Sequence, residues 1–112
     1  MTIFEKIAAR EIPAEIIFEA DDFLAFRDVH PQAPVHALIV PKRVIARIGE
    51  AQATDAELVG RMLCAAPEIA RRLGVAESGF RLVINNGAHA GESVPHLHIH
   101  LLGGRPLAWP PG

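Results

Sequence analysis

In the stretch His96-Leu97-His98-Ile99-His100-Leu101-Leu102, imidazoles alternate with aliphatic side chains. A two-residue period is that of a β-strand, which sends successive side chains to opposite faces of a sheet. Leu97, Ile99 and Leu101 are expected on one face, packed against a helix. His96, His98 and His100 are expected on the other, open face, about 6.6–6.8 Å apart along the strand. This strand is expected over residues 96–102, ended by Gly103-Gly104 before a proline-rich tail carrying Trp109.

Working outward, residues 80–85 read as the preceding strand, and Asn86-Gly87 opens a flexible turn leading to Ser93. Residues 15–19 and 23–28 read as a hairpin, with Leu24, Phe26 and Asp28 sharing a face. Residues 35–40 form a further strand that Pro41 closes. Thr2 with Glu5 makes a capping-box pattern at the start of a short helix, and Thr54 with Glu57 makes another before the main helix. Leu58, Val59, Met62, Leu63, Ala66, Ile69, Ala70 and Leu73 give that helix its apolar stripe, and Gly74 stops it. Pro67 predicts a kink or two shorter helices in place of one. The fold class is α+β, one domain over residues 1–112.

Half of the 112 residues are apolar, enough for one modest core that dimerisation would help. Eleven Lys and Arg against 13 acids give a net charge of −2 with no basic run, so long nucleic acids are not expected partners. No run approaches ~18 apolar residues and no signal-peptide core is evident, which argues against a membrane span or secretion. The single Cys64 excludes an internal disulfide, fits a reducing, cytoplasmic compartment and reads as a helix-buried hydrophobe.

Three readings compete for the histidine row. The plainest is three imidazoles facing solvent on an antiparallel sheet, although strict alternation directly after Gly91-Glu92-Ser93-Val94-Pro95 is a costly coincidence. Alternate histidines can also converge on zinc and leave a position open for water. Against zinc, the row supplies no carboxylate, and Glu92 is the one anion close in sequence. In the third reading, a neutral imidazole attacks phosphorus, a phospho-histidine forms and water resolves it. Spacing alone leaves metal and nucleophile open. The loop before the strand could offer N–H groups and the Ser93 hydroxyl to an oxyanion. With no lysine or arginine beside the row, one phosphate on a small ligand suits it better than a polyphosphate. His36 has the plain reading of a strand-edge histidine facing solvent, and Asn85 that of turn chemistry.

These residues resemble the histidine-triad (HIT) superfamily. Thr2-Ile3-Phe4, Glu11-Ile12-Pro13-Ala14, Ile16-Ile17-Phe18-Glu19, Leu24-Ala25-Phe26, Pro31-Gln32-Ala33-Pro34, Gly103-Gly104-Arg105 and Trp109-Pro110-Pro111-Gly112 are similar to its nucleotide-binding branch over almost the whole chain. The resemblance implies a five-stranded antiparallel sheet with one main helix and a short N-terminal helix, the sheet continuing across a homodimer. It implies a purine nucleoside phosphoramidase without metal or cofactor. Its substrates would be adenosine 5′-monophosphoramidates, nucleotide–lysine adducts or aminoacyl-adenylates, and its product a purine nucleoside monophosphate. By the same resemblance His98 is the nucleophile, His100 and His36 contact the phosphate or organise its charge, and His96 completes the triad. Asn85, Gly91 and Ser93 match phosphate and leaving-group contacts. Asp28 takes the ribose hydroxyls, and Phe26 could pack on the base. The tail 103–112, with Trp109, reaches the dimer interface or the active-site rim. His30, Arg27, Val44 and Pro67 depart from the family pattern without touching the triad. A nucleotide-binding regulatory module and a zinc-dependent hydrolase are the rival functions.

Overall fold

The computed structural model describes all 112 residues. Its strands are β1 (Ile16–Glu19), β2 (Phe23–Arg27), β3 (Val35–Pro41), β4 (Phe80–Val83) and β5 (Ile99–Gly103), and its helices are α1 (Ile3–Ala8), α2 (Ala56–Cys64) and α3 (Ala66–Arg72). The strands form one antiparallel sheet in the order β1-β2-β3-β5-β4. The expected α+β architecture is the observed one.

Each face of the sheet buries its own apolar row. On one, Ala25, Ile39, Ile99 and Leu101 meet Leu58, Met62, Ile69 and Ala70 of α2 and α3, and Leu97 belongs to the same core. On the other, Leu24, Phe26, Leu38 and Val40 meet Phe4 and Ile7 of α1. The histidines share that second face. It is not open as expected, because α1 lies over it.

Pro67 divides the main helix as expected. α2 ends at Cys64 and α3 begins at Ala66, with the proline in its first turn, where a missing N–H leaves no bond broken. The buried positions Leu58, Met62, Ala66, Ile69 and Ala70 keep one helical phase through the break, and Leu63 and Cys64 fall at and beyond the edge of that stripe, so both are exposed, contrary to expectation. Thr54 does not cap α2. A Gln52–Asp55 capping box closes the preceding 3-10 turn, with Asp55 also held by Arg43, and α2 itself has no side-chain cap. The Thr2–Glu5 box forms as read.

β5 begins at Ile99 instead of His96. Ile39 pairs with Ile99, which sets Pro41 opposite the start of the motif. Proline has no N–H to continue the ladder, and its carbonyl is taken by the ring of His96.

Candidate active site

Each histidine acquires a role from the partner of each ring nitrogen. Nδ1 of His98 lies 2.8 Å from the carbonyl oxygen of His96. A carbonyl only accepts, so Nδ1 carries the proton and Nε2 keeps its lone pair. No buried side-chain nitrogen or oxygen lacks a hydrogen-bond partner. Nε2 of His98 makes no such bond, so it is accessible, on a residue that lines a cleft. The ring as a whole is only 7% exposed, with Phe4 edge-on at 5.1 Å between centroids.

His36 and His100 form a relay. The backbone N–H of Gln32 donates to Nδ1 of His36 at 3.0 Å, which puts the proton of His36 on Nε2. That Nε2–H donates to Nδ1 of His100 at 2.9 Å, with Asp28 Oδ2 at 3.5 Å. His100 therefore carries its own proton on Nε2. Burial pushes His100 down to about 4, helped by the neighbouring His98 and His36. Burial also lowers His36 and outweighs the opposing pull of Asp28, so the contact with Asp28 is a polar one to a neutral ring. His36 is buried on a central strand, not at a solvent-facing edge.

His96 is fully buried. Its Nε2–H donates to Pro41 O at 2.7 Å and its Nδ1 meets Thr2 Oγ1 at 2.6 Å. Burial lowers its pKa as well.

The zinc reading meets a geometric objection. Asp28, His36 and His100 bring possible ligand atoms within 4.8 Å of one another. Yet Gln32 forces the proton of His36 onto Nε2, the atom that would have to bind, and that proton occupies the space between the rings. A neutral imidazole ligates through a lone pair, so this hydrogen-bond set does not suit a metal.

The cleft holds about 460 Å³ and is lined by His98, His100, His36, Ser93 and Asp28 together with the apolar Ile3, Phe26 and Val29. That volume lies within the range of small-ligand sites. The structure thus brings His98, His100, His36, Ser93, Asp28 and Phe26 together. Phe26 has a double role, since its ring packs on Phe4 at 5.7 Å while it lines the cleft. Asn85 and Gly91 do not line the cleft. Trp109 is 80% exposed, its ring under the Arg81 guanidinium at 5.9 Å, and it also stands away from the cleft.

The loop before β5 is pinned where a flexible turn was expected. Glu92 accepts from the Gly87 N–H at 3.0 Å and takes both arms of Arg47, at 2.9 and 3.0 Å, which hold its carboxyl down at about 2. The amides of Gly87, Ala90, Gly91 and Glu92 are all spent inside the loop, so they are not the donors expected for an oxyanion. Arg47, Gln32, Thr2 and Phe4 were not singled out from the sequence as site residues. Only the Thr2–Glu5 cap and the apolar face of α1 hinted at the last two, since contacts across 45 to 94 residues leave no periodic trace.

A small antiparallel domain whose helix-covered histidines present one free ring nitrogen and one ring N–H to a nucleotide-sized cleft has the constitution of a histidine-dependent hydrolase. Comparison with known proteins agrees. Residues 9–107 match the HIT domain model. A HIT-like protein of Synechocystis is 55% identical over 111 residues, covering 99% of this chain and 96% of its own. The purine nucleoside phosphoramidase of Escherichia coli K12 is 48% identical over 106 residues, covering 95% and 89% respectively. A HIT family hydrolase from Legionella pneumophila superposes with a TM-score of 0.95 at 48% identity, covering all of both chains. The chain belongs to the HIT family and stands among its hydrolases.

Proposed function

We propose that this chain is a purine nucleoside phosphoramidase acting through a covalent nucleotidyl-histidine. The observation that carries the proposal is the lone pair on Nε2 of His98, fixed by the bond from its Nδ1–H to the His96 carbonyl and accessible at the cleft. In the first half-reaction Nε2 attacks the α-phosphorus, forming an N–P bond as the bond to the substrate amine breaks. The departing amine takes its proton from solvent through the Ser93 hydroxyl at the cleft, and the water that attacks in the second half-reaction gives one back to solvent. The neutral Nε2–H of His100 donates to a phosphoryl oxygen as charge builds on it. Water then attacks phosphorus, releases the nucleoside monophosphate and restores His98. Asp28 is assigned the ribose hydroxyls, and the apolar lining that includes Phe26 the purine. Asn85 and Gly91, which the resemblance offers for phosphate and leaving-group contacts, stand outside the cleft, and the Gly91 amide is spent on Ala88, so neither is given a role.

The printed activity of the Escherichia coli relative, at 48% identity, supports the choice of a P–N substrate. A homodimer and a cytoplasmic setting belong to the same reading. No helix is long and apolar enough to cross a membrane. The β4 edge favours sheet continuation there, because the other edge, β1, is irregular between Ile16 and Phe18 and capped by Arg72 on the Ile17 carbonyl.

The test is a quenched reaction with adenosine 5′-phosphoramidate followed by peptide mass spectrometry. An adenylyl group on His98 is expected, with His98→Ala losing roughly 10³-fold or more in kcat. Near-normal turnover in His98→Ala would sink the mechanism. A wild-type kcat/KM well below ~10⁴ M⁻¹s⁻¹ would favour a regulatory nucleotide-binding module instead.

A further inference from the structure

The hydroxyl that caps α1 also touches the buried ring on which the nucleophile depends. We propose that Thr2 is a positioning residue of the active site. Its hydroxyl holds His96 in the one neutral tautomer that fixes the carbonyl orienting His98. The inference rests on the reading of His98 as nucleophile.

A threonine hydroxyl has one proton and two lone pairs. One lone pair of Thr2 Oγ1 accepts the N–H of Glu5 at 3.1 Å, completing the helix cap. The destination of the proton follows from His96. Nε2 of His96 faces the Pro41 carbonyl at 2.7 Å and must carry the ring's hydrogen, so its Nδ1 is a bare lone pair. Across the 2.6 Å contact between Nδ1 and Thr2 Oγ1, the one available proton belongs to Thr2. The path runs from the Glu5 amide through the Thr2 hydroxyl to the ring of His96, and from the His96 carbonyl to Nδ1–H of His98 at 2.8 Å.

The ring matters because the backbone beneath it is irregular. β5 begins only at Ile99, so the His96 carbonyl is not held by the strand ladder. The His96 amide turns to Val94 O and the Leu97 amide to Ile45 O. The fully buried His96 ring, bonded at both nitrogens between α1 and β3, is what fixes this carbonyl from the side.

Losing the Thr2 proton leaves His96 three courses. It can bury an unsatisfied Nδ1, flip tautomer and orphan the Pro41 carbonyl, or gain a second proton and place a cation beside His98. Each disturbs the orientation or the electrostatics of the nucleophile, and misplacement of a reacting group by about 1 Å costs up to 10²-fold in rate.

Three variants separate this role from helix capping. Thr2→Ser keeps both the cap and the proton. Thr2→Asp caps a helix as well as threonine but brings no proton to His96. Thr2→Val loses both. Each full-length protein is assayed for adenosine 5′-phosphoramidate turnover, AMP affinity and histidine ring ¹⁵N NMR. Thr2→Asp and Thr2→Val are expected to lose kcat by about tenfold or more with the AMP Kd unchanged, and Thr2→Ser to restore it. The ¹⁵N signals of His98 should leave the pure Nδ1–H pattern in both impaired variants. Retained turnover in Thr2→Asp, or unchanged His98 signals in both, overturns the inference. If the wild type itself turns over no phosphoramidate, the functional reading fails while the NMR comparison still decides the role of Thr2.

Discussion

A histidine is defined chemically by what its second nitrogen touches, and four of them here illustrate this at the scale of single residues. His98 gives a proton to a carbonyl and keeps a lone pair. His36 accepts a hydrogen bond from an amide and donates one through its own Nε2–H to His100, and His96 is bonded at both nitrogens. Alternation in the sequence placed His96, His98 and His100 on one face but carried no information on which nitrogen was free. That depends on Gln32, Pro41 and Thr2, which only the folded chain brings to the rings. His100 is neutral at pH 7, with its Nε2–H as the one cleft-facing proton of the relay. If His100 donates to the developing phosphoryl charge as proposed, replacing it with Ala removes that donor. Loss of one such donor costs about 10²–10³ in kcat. We expect that loss in single-turnover kinetics, with AMP affinity changed much less. A variant that lost AMP affinity and kept kcat would place His100 in ground-state binding instead.

At the scale of elements, what could be read depended on whether the deciding contact was local. The Thr2–Glu5 cap and the Pro67 break follow from neighbours within four residues, and both are present. β5 starts later than the alternation implies because Pro41, 55 residues from His96, has no N–H to continue the ladder. Thr54 does not cap α2, whose first residue follows Asp55, and the Asp55 carboxylate is spent on Arg43 and the Gln52 amide. The loop between β4 and β5 looked flexible from its glycines, yet Arg47 reaches it from a segment 45 residues earlier. The chelated Glu92 carboxylate, held at about 2, stays charged across the working range of pH and ties Gly87 to Arg47. Gly49 adds a second tie through its N–H to Asn86 Oδ1 at 2.7 Å. Glu92→Gln keeps the shape but loses the charge. It should speed hydrogen exchange in residues 86–93 and lower kcat several-fold, because a catalytic group held about 1 Å too loosely loses much of its rate. Unchanged exchange in that loop would show that Gly49–Asn86 suffices.

Across the whole molecule, three neutral histidines, His36 and His96 buried and His100 half-buried, lie in or beside the second core, so folding is linked to protons in a definite window. Burial lowers His36, His96 and His100 from 6.5, the last to about 4. A histidine lowered in the folded state binds its proton more readily in the unfolded chain. Protonation therefore favours unfolding as the pH falls, and stability is lost between 6.5 and about 4. Carboxylates act lower. Glu68 and Glu92, brought from 4.5 to about 2 by arginine partners, contribute fully above 4.5 and fade only beneath it. The interval from pH 6.5 to 4.5 thus belongs to the histidines. His100 alone should account for a loss on the order of 2 kcal/mol once solvent screening of a partly exposed ring is allowed for. Urea unfolding at pH 7.0, 6.0 and 5.0 measures this directly. The wild type is expected to weaken at each step, and His100→Gln to start lower but decline with a visibly flatter slope. Parallel slopes for the two proteins would mean that the pH dependence arises elsewhere, and that His100 takes up its proton in the fold as readily as in the unfolded chain.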